Sequence, residues 1–272
     1  MTIDEALRDA VKMIASVAER PRLEAEILMA EHLGKERIWL HTHGDQPLEN
    51  IENFFQLIER RAKSEPIEYI LGRVSFYDLE LKVGPGVLIA RPETELLVDK
   101  AAEVIRIHNL TRVAEIGVGS GAISIMLAKL FPMLEIIATD ISKEALEYAR
   151  YNVQVYGLED RIRLQQADLL EGVEEPIEMV VSNPPYISED YQLPAPLHYE
   201  PKGALVGGSS GDELLQRIIS TVKQRAIPHL VCEMGYDQRQ PITTYCQHLN
   251  LPEPIFYKDL AGLDRGFYLK LR

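Results

Sequence analysis

Cysteine is almost missing from this 272-residue chain: only Cys232 and Cys246 are present. Two cysteines build no disulfide framework. Asp4, Glu5, Arg8 and Asp9 interrupt any apolar signal core at the N-terminus, so a reducing, cytoplasmic setting is expected. Long apolar runs are missing too. The uncharged stretch 116–128 is too short to cross a bilayer and holds three glycines, so no membrane is expected as a partner. Positive charge is scarce: 29 Lys and Arg against 42 Asp and Glu leave a formal net charge of −13. Such a surface repels phosphate backbones, so no direct nucleic-acid contact is expected. The densest basic cluster, Arg60-Arg61-Ala62-Lys63, reads as the solvated end of a helix. The seven histidines lack metal spacing; His41-Thr42-His43 has no third ligand nearby and reads as a polar loop, so no metal is expected.

What is present is a globular composition, 46% hydrophobic and 26% charged, in a chain long enough for a sizeable core plus a small second domain. The first sixty-odd residues read as helical. Thr2-Ile3-Asp4-Glu5 fits a capping box, and Ile3, Ala6, Leu7, Ala10, Val11 and Ile14 follow at helical spacing. A second helix is expected over 22–33, stopped by Gly34, and a third after Pro47 with Ile51, Phe54, Phe55 and Ile58 on one face. Residues 74–90 look like a hairpin broken by Gly84-Pro85-Gly86. Thereafter strand candidates at 112–116, 135–139, 161–165, 179–182 and 229–234 alternate with helix candidates at 93–107, 122–130, 143–156 and 212–225. That alternation predicts an α/β fold with a mostly parallel sheet and helices on both faces. Two further strand-like pieces flank 260–266.

Glu115-Ile116-Gly117-Val118-Gly119-Ser120-Gly121 closes the first of these strands and opens a helix. Glycines let the backbone turn tightly and let a ligand approach the helix N-terminus. Taken alone this is a weak signal, since Gly117, Gly119 and Ala122 also satisfy a dinucleotide-binding pattern. Asp140 ends the second strand, where a carboxylate accepts both hydroxyl hydrogen bonds of a ribose, a group shared by nicotinamide cofactors and S-adenosylmethionine. Asp168 and Leu169 end the third strand, as an acid and an apolar residue suited to an adenine amine and ring; a plain turn is an equal reading for Asp168.

The fourth strand runs into Asn183-Pro184-Pro185-Tyr186. Two prolines fix φ and remove two donors, and Asn183 before a proline is pushed to an extended conformation. The product is a stiff arch of acceptors, the Asn183 side-chain oxygen and the Pro184 carbonyl, beside the flat face of Tyr186. An amino group on an sp² carbon fits it. A planar amide nitrogen is a poor nucleophile because its lone pair is delocalised. Fixed acceptors favour the reorganisation that aims that lone pair, and proximity to a sulfonium methyl does much of the rest. No strong base is needed, since the nitrogen becomes acidic once methylated.

These residues resemble the catalytic motif of amino-methyltransferases. Further stretches narrow the resemblance to the protein-(glutamine-N5) methyltransferases that modify peptide-chain release factors, the PrmC/HemK group. Glu65-Pro66-Ile67-Glu68-Tyr69-Ile70-Leu71-Gly72 resembles its interdomain signature, and Leu88-Ile89-Ala90-Arg91-Pro92-Glu93-Thr94-Glu95 a segment near its active site. Tyr199-Glu200-Pro201 with Ala204-Leu205 and Gly207-Gly208, and Lys258-Asp259-Leu260-Ala261-Gly262 with Asp264-Arg265, resemble its later signatures. The likeness covers nearly the whole chain and is weakest in the first fifty residues. Glu115, Val118 and Ala90 stand where the family usually has Asp, Thr and Pro.

The resemblance implies a Rossmann-like methyltransferase fold dependent on S-adenosylmethionine, with S-adenosylhomocysteine as product. It implies a helical substrate-recognition domain at 1–73, a β-hairpin linker at 74–90 and the methyltransferase domain at 91–272. Cofactor contacts would come from Glu115, Gly117, Val118, Gly119, Ser120, Gly121, Asp140, Asp168, Leu169 and Asn183. The glutamine of a class I release factor's Gly-Gly-Gln motif would sit on Asn183, Pro184, Pro185 and Tyr186, with Asn183, Pro184 and Tyr186 as the catalytic group. A monomer is expected. Three other readings compete. An adenine-specific nucleic-acid methyltransferase shares the arch but needs a basic face for a flipped base. A nicotinamide oxidoreductase explains the glycines but leaves the arch idle, and a binding module without catalysis would more naturally have lost Asn183 or Tyr186.

Overall fold

The computed structural model describes residues 1–271, and Arg272 lies outside the described residues. The chain divides into two compact units, one of residues 1–73 with 193–199, the other of residues 74–192 with 200–272.

The first unit is built from α1 (Ile3–Ile14), α2 (Pro21–Leu33), α3 (Arg37–His43), α4 (Ile51–Ala62) and α5 (Ile67–Leu71). The capping box closes as its residue types require: the Glu5 amide donates to Thr2 Oγ1 and the Thr2 amide to the Glu5 carboxylate. Gly34 ends α2 in the left-handed conformation. Ile3, Leu7, Leu28, Met29, Phe54 and Ile58 form the fully enclosed centre of the unit. Two expectations are corrected. His41-Thr42-His43 ends a short helix rather than forming a loop, because Trp39 stacks on the His43 ring at 3.9 Å and its carbonyl bonds His43 Nδ1. In the basic cluster at the end of α4, Arg61 is buried rather than solvated, since Glu24 at 2.6 Å and the Val17 carbonyl take up its guanidinium.

The second unit opens with β1 (Arg73–Phe76) and β2 (Leu79–Lys82), a two-stranded sheet turned at Tyr77 and Asp78. There follow α6 (Thr94–His108), β3 (Arg112–Ile116), α7 (Ala122–Leu130), β4 (Glu135–Asp140), α8 (Lys143–Val155), β5 (Ile162–Gln166) and β6 (Met179–Ser182). A short ladder of β7 (Ile187–Ser188) and β8 (Val206–Gly208) comes next. The unit closes with α9 (Glu213–Gln224), β9 (His229–Glu233), α10 (Arg239–His248), β10 (Ile255–Lys258) and β11 (Asp264–Lys270). The main sheet has the order β10-β11-β9-β6-β3-β4-β5, parallel from β9 to β5, with β11 and β10 antiparallel at one edge.

Strand residues alternate between two cores, as a pleated strand must. Val113, Ile136, Val181 and Val231 pack under α6, α7 and α8; Ala114, Ile137, Val180 and Leu230 pack under α9 and α10. The helix α10 and the β7–β8 ladder are absent from the sequence reading, because short polar-rich segments such as Arg239–His248 carry little periodicity. Among the described residues, no helix is long and apolar enough to cross a membrane.

Candidate functional site

The carboxyl ends of β3, β4 and β6 lie side by side, and each runs into a loop that shapes one cleft. A parallel α/β sheet binds ligands at this edge, where the chain leaves neighbouring strands. The cleft encloses about 230 Å³ and is lined by Glu115, Gly117, Val118, Gly119, Ser120, Asp140, Asn183 and Pro185 among others.

Behind β3 the turn from Gly117 to Gly121 leads into α7. The amides of Gly117 and Val118 donate to the Thr139 carbonyl, so the turn is stitched to β4. Gly119, at φ +54°, directs its amide to Asp140 Oδ2 at 3.0 Å, while Oδ1 accepts from the Ser142 amide at 2.9 Å. Each carboxylate oxygen keeps a further lone-pair site for a ligand hydroxyl. Burial raises the Asp140 pKa even against these amides. Glu115 is buried beneath the turn, and burial pushes its carboxyl up to about 8, only partly offset by a hydrogen bond from Ser124 Oγ.

Behind β6 the arch is pinned from several sides. Ser182 Oγ donates to the Ile116 carbonyl at 2.7 Å, tying the arch to the glycine turn. Gln238 Nε2 donates to the Tyr186 carbonyl at 2.9 Å. The Tyr186 hydroxyl donates to Glu233 Oε1 at 3.2 Å, and burial, with the Glu233 charge beside it, raises the phenol well above its usual value. Asn183 Nδ2 donates to Thr94 Oγ1 at 3.0 Å, which leaves Oδ1 as the free acceptor of the side chain. The β8 strand closes against the arch so tightly that a Cβ on Gly207 would collide with the carbonyl oxygens of Pro185 and Gly211.

Two stretches singled out in the sequence meet here. The Glu200 carboxylate is buried and accepts from the Ile89 amide at 3.0 Å and from the Arg91 guanidinium. This holds residues 87–90 over the glycine turn, so Val87, Leu88 and Ala90 line the cleft together with Pro201 and Ala204.

Of the expected site residues, Glu115, Gly117, Val118, Gly119, Ser120, Asp140, Asn183 and Pro185 come together at the cleft, while Gly121 caps α7 without lining it. Pro184 and Tyr186 belong to the same arch but do not line it. Asp168 and Leu169 are not brought there. The Asp168 carboxylate pairs with Arg217 of α9 at 2.7 Å and faces a separate depression beside α9. Leu169, at φ +53°, packs with the core under α9, and its carbonyl accepts from Thr139 Oγ1. Sequence reasoning missed Thr94 and Glu233 as parts of the site. Thr94 lay within a quoted signature, but its contact with Asn183 spans 89 residues and leaves no periodic trace.

Family models for the PrmC N-terminal domain and the methyltransferase small domain match residues 5–72 and 92–195. Solved structures share the fold. The ribosomal protein L11 methylase of Lactobacillus delbrueckii subsp. bulgaricus superposes with a TM-score of 0.52 at 22% identity, covering 73% of this chain and 89% of its own. The N-terminal domain of human METTL16 in complex with SAH gives 0.53 at 17%, covering 84% and 86%. Fold and cleft together define a Rossmann-like methyltransferase. Curated relatives narrow the class: release factor glutamine methyltransferases of Clostridium acetobutylicum (35% identical, 97% of each chain), Rhodopirellula baltica (40%, 91% of this chain and 88% of that one) and Bordetella pertussis (38%, 92% and 95%). The chain belongs to the release factor glutamine methyltransferase family.

Proposed function

We propose that this protein transfers a methyl group from S-adenosylmethionine to the side-chain amide nitrogen of the glutamine in the Gly-Gly-Gln motif of class I peptide-chain release factors. The single observation that carries this reading is Asn183: its amide nitrogen donates to Thr94, so its oxygen is left as an acceptor in a cleft floored by the glycine turn. The relatives' names support the same substrate.

The cleft fits the cofactor chemically. Asp140 offers a fixed carboxylate for a ribose diol. The walls contributed by Val87, Leu88, Ile123 and Leu214 suit an apolar ring, and the Glu115 carboxyl suits a cation, whose approach would draw it into its ionised form. When bound, S-adenosylmethionine supplies an electrophilic methyl on a positively charged sulfur. Glu115, Gly117, Val118, Gly119, Ser120, Gly121, Asp140 and Asn183 are the residues assigned to hold it. Asp168 and Leu169 would join the adenine end once Arg217 releases the Asp168 carboxylate.

Asn183 Oδ1 and the Pro184 carbonyl accept the two N–H bonds of the substrate carboxamide. Pro185 and Tyr186 complete the slot and hold the amide plane. With both N–H bonds directed at acceptors, the nitrogen presents its out-of-plane lone pair to the cofactor side of the cleft. Positioning of this kind is worth several kcal/mol, about 7–11 in the best intramolecular cases. Residues 1–73 are assigned to substrate recognition, 74–90 to a hairpin linker and 91–272 to catalysis. The protein would work as a cytoplasmic monomer without direct nucleic-acid contact.

The test is to offer methyl-labelled S-adenosylmethionine with a release factor and nucleic acid together. Label on the Gly-Gly-Gln glutamine is expected. Label on nucleic acid, with the release factor bare, would refute the substrate assignment.

A further inference from the structure

Two buried side chains beneath the arch touch neither ligand of the mechanism above. Thr94 opens α6 and Glu233 ends β9; both are almost wholly buried. Thr94 Oγ1 accepts the Asn183 amide hydrogen at 3.0 Å, and Glu233 Oε1 accepts the Tyr186 hydroxyl at 3.2 Å. Glu233 Oε2 has no hydrogen-bond partner, and Thr94 is among the groups that favour the ionised carboxylate. A buried carboxylate oxygen without a donor is costly and calls for a function.

The problem such a group can solve is the direction of Asn183. The oxygen and nitrogen of an Asn amide are nearly the same size, so shape does not choose between them. The wrong orientation would place two N–H donors against the N–H donors of the substrate. Thr94 alone does not choose either, because a hydroxyl both donates and accepts. An ionised carboxylate only accepts. Turned toward the open Glu233 Oε2, the Thr94 proton would leave Oγ1 with lone pairs alone toward Asn183, and the Asn183 oxygen would then face the cleft.

We propose that Thr94 and Glu233 are positioning residues for the methyl transfer: the Glu233 carboxylate orients the Thr94 hydroxyl, which in turn sets the Asn183 amide as an acceptor, while the same carboxylate holds the Tyr186 ring through its hydroxyl. This rests on the reading of the site as an amide methyltransferase.

The device has a pH signature. Burial pushes the Glu233 carboxyl up to about 7, against the lowering effect of Thr94 and Tyr186; Glu93 raises it further and Arg265 lowers it. Tyr257 and Cys232 also face it, and both stay protonated because burial raises them. Protonated Glu233 becomes a donor and no longer dictates the direction of Thr94, so turnover rises as pH passes upward through about 7.

The experiment compares wild type with Thr94→Val, Thr94→Ser and Glu233→Gln, reading kcat and KM for labelling of a release factor between about pH 6 and 8.5. Cofactor affinity is followed by calorimetry and folding by thermal melting. Thr94→Val should lower kcat by about tenfold or more while cofactor affinity stays within about twofold, and Thr94→Ser should recover most of the loss. Glu233→Gln should lower kcat and abolish its rise through pH 7. A folded Thr94→Val enzyme with wild-type kcat, or a Glu233→Gln enzyme keeping the wild-type pH profile, would overturn the proposal. Failure of the wild type to label the release factor would instead overturn the functional reading, and this inference with it.

Discussion

In the proposed mechanism Asn183 and Asp140 divide the labour of the site, and the division can be tested one residue at a time. Asp140 lines the cleft, tied by two backbone amides, and its assignment to the cofactor's ribose predicts that Asp140→Ala weakens S-adenosylmethionine binding by about 1.5–3 kcal/mol, the worth of hydrogen bonds to a charged group. Asn183 is assigned to the substrate carboxamide, and on that assignment Asn183→Ala should cost about 10²-fold or more in kcat, in line with loss of one aimed polar group, with cofactor affinity largely kept. Calorimetry and single-turnover labelling on both variants separate the two. Unchanged affinity in Asp140→Ala, or retained turnover in Asn183→Ala, would contradict the assignment. Both residues were legible in the sequence because each sits at a strand end, where side chains project into the cleft whatever the surrounding packing. Asp168, expected at a strand end, lies two residues past β5, and Arg217, 49 residues further along the chain, captures it. A long-range ion pair leaves no local mark.

At the scale of elements, the arch works because its neighbours hold it from outside. The short β7–β8 ladder was invisible to periodicity, yet its Gly207 is what lets the returning chain meet the Pro185 and Gly211 carbonyls. A methyl group there strikes backbone on both sides, and backbone cannot swing away as a flexible side chain does. Gly207→Ala should therefore destabilise by about 1–3 kcal/mol, the usual cost of overpacking, and lower kcat more than it lowers cofactor affinity. Thermal melting with steady-state kinetics checks this; a variant with wild-type kcat would show that the arch tolerates displacement. The larger elements were far more legible. Residues 112–116, 122–130 and 179–182 form β3, α7 and β6 as expected, since continuous apolar runs between turn residues mark buried parallel strands and the helices over them.

For the molecule as a whole, buried acids shape the response to pH. Glu115 and Glu233 are raised by burial to about 8 and about 7, from an ordinary 4.5. The folded state thus keeps protons that the unfolded chain releases, and stability falls as pH climbs from 4.5 toward 8. His229 acts in the opposite sense: burial lowers it to about 4 from 6.5, so its contribution grows with pH and is complete above 6.5. Above pH 6.5 the two glutamates prevail. The melting temperature of the cofactor-free protein should fall from about pH 6.5 to about pH 8.5, and Glu115→Gln should flatten part of that fall. A melting temperature that holds or rises over this range would contradict the burial of these carboxyls.

The amino-acid sequence by itself determined the alternation of strands and helices, the capped N-terminal helices, the glycine turn, Asp140 and the proline arch. Each depends on neighbours within a few residues: a repeat of apolar side chains, a cap, a ring that locks φ. Only the tertiary structure decided that Thr94 and Glu233 lie beneath Asn183 and Tyr186, that Glu200 ties down Ile89 and Arg91, and that Asp168 is held away from the cleft by Arg217. Those contacts join residues far apart along the chain. They exist because sheet order brings β9 next to β6 and sets α6 over them, and sheet order is settled by how all the apolar faces bury together.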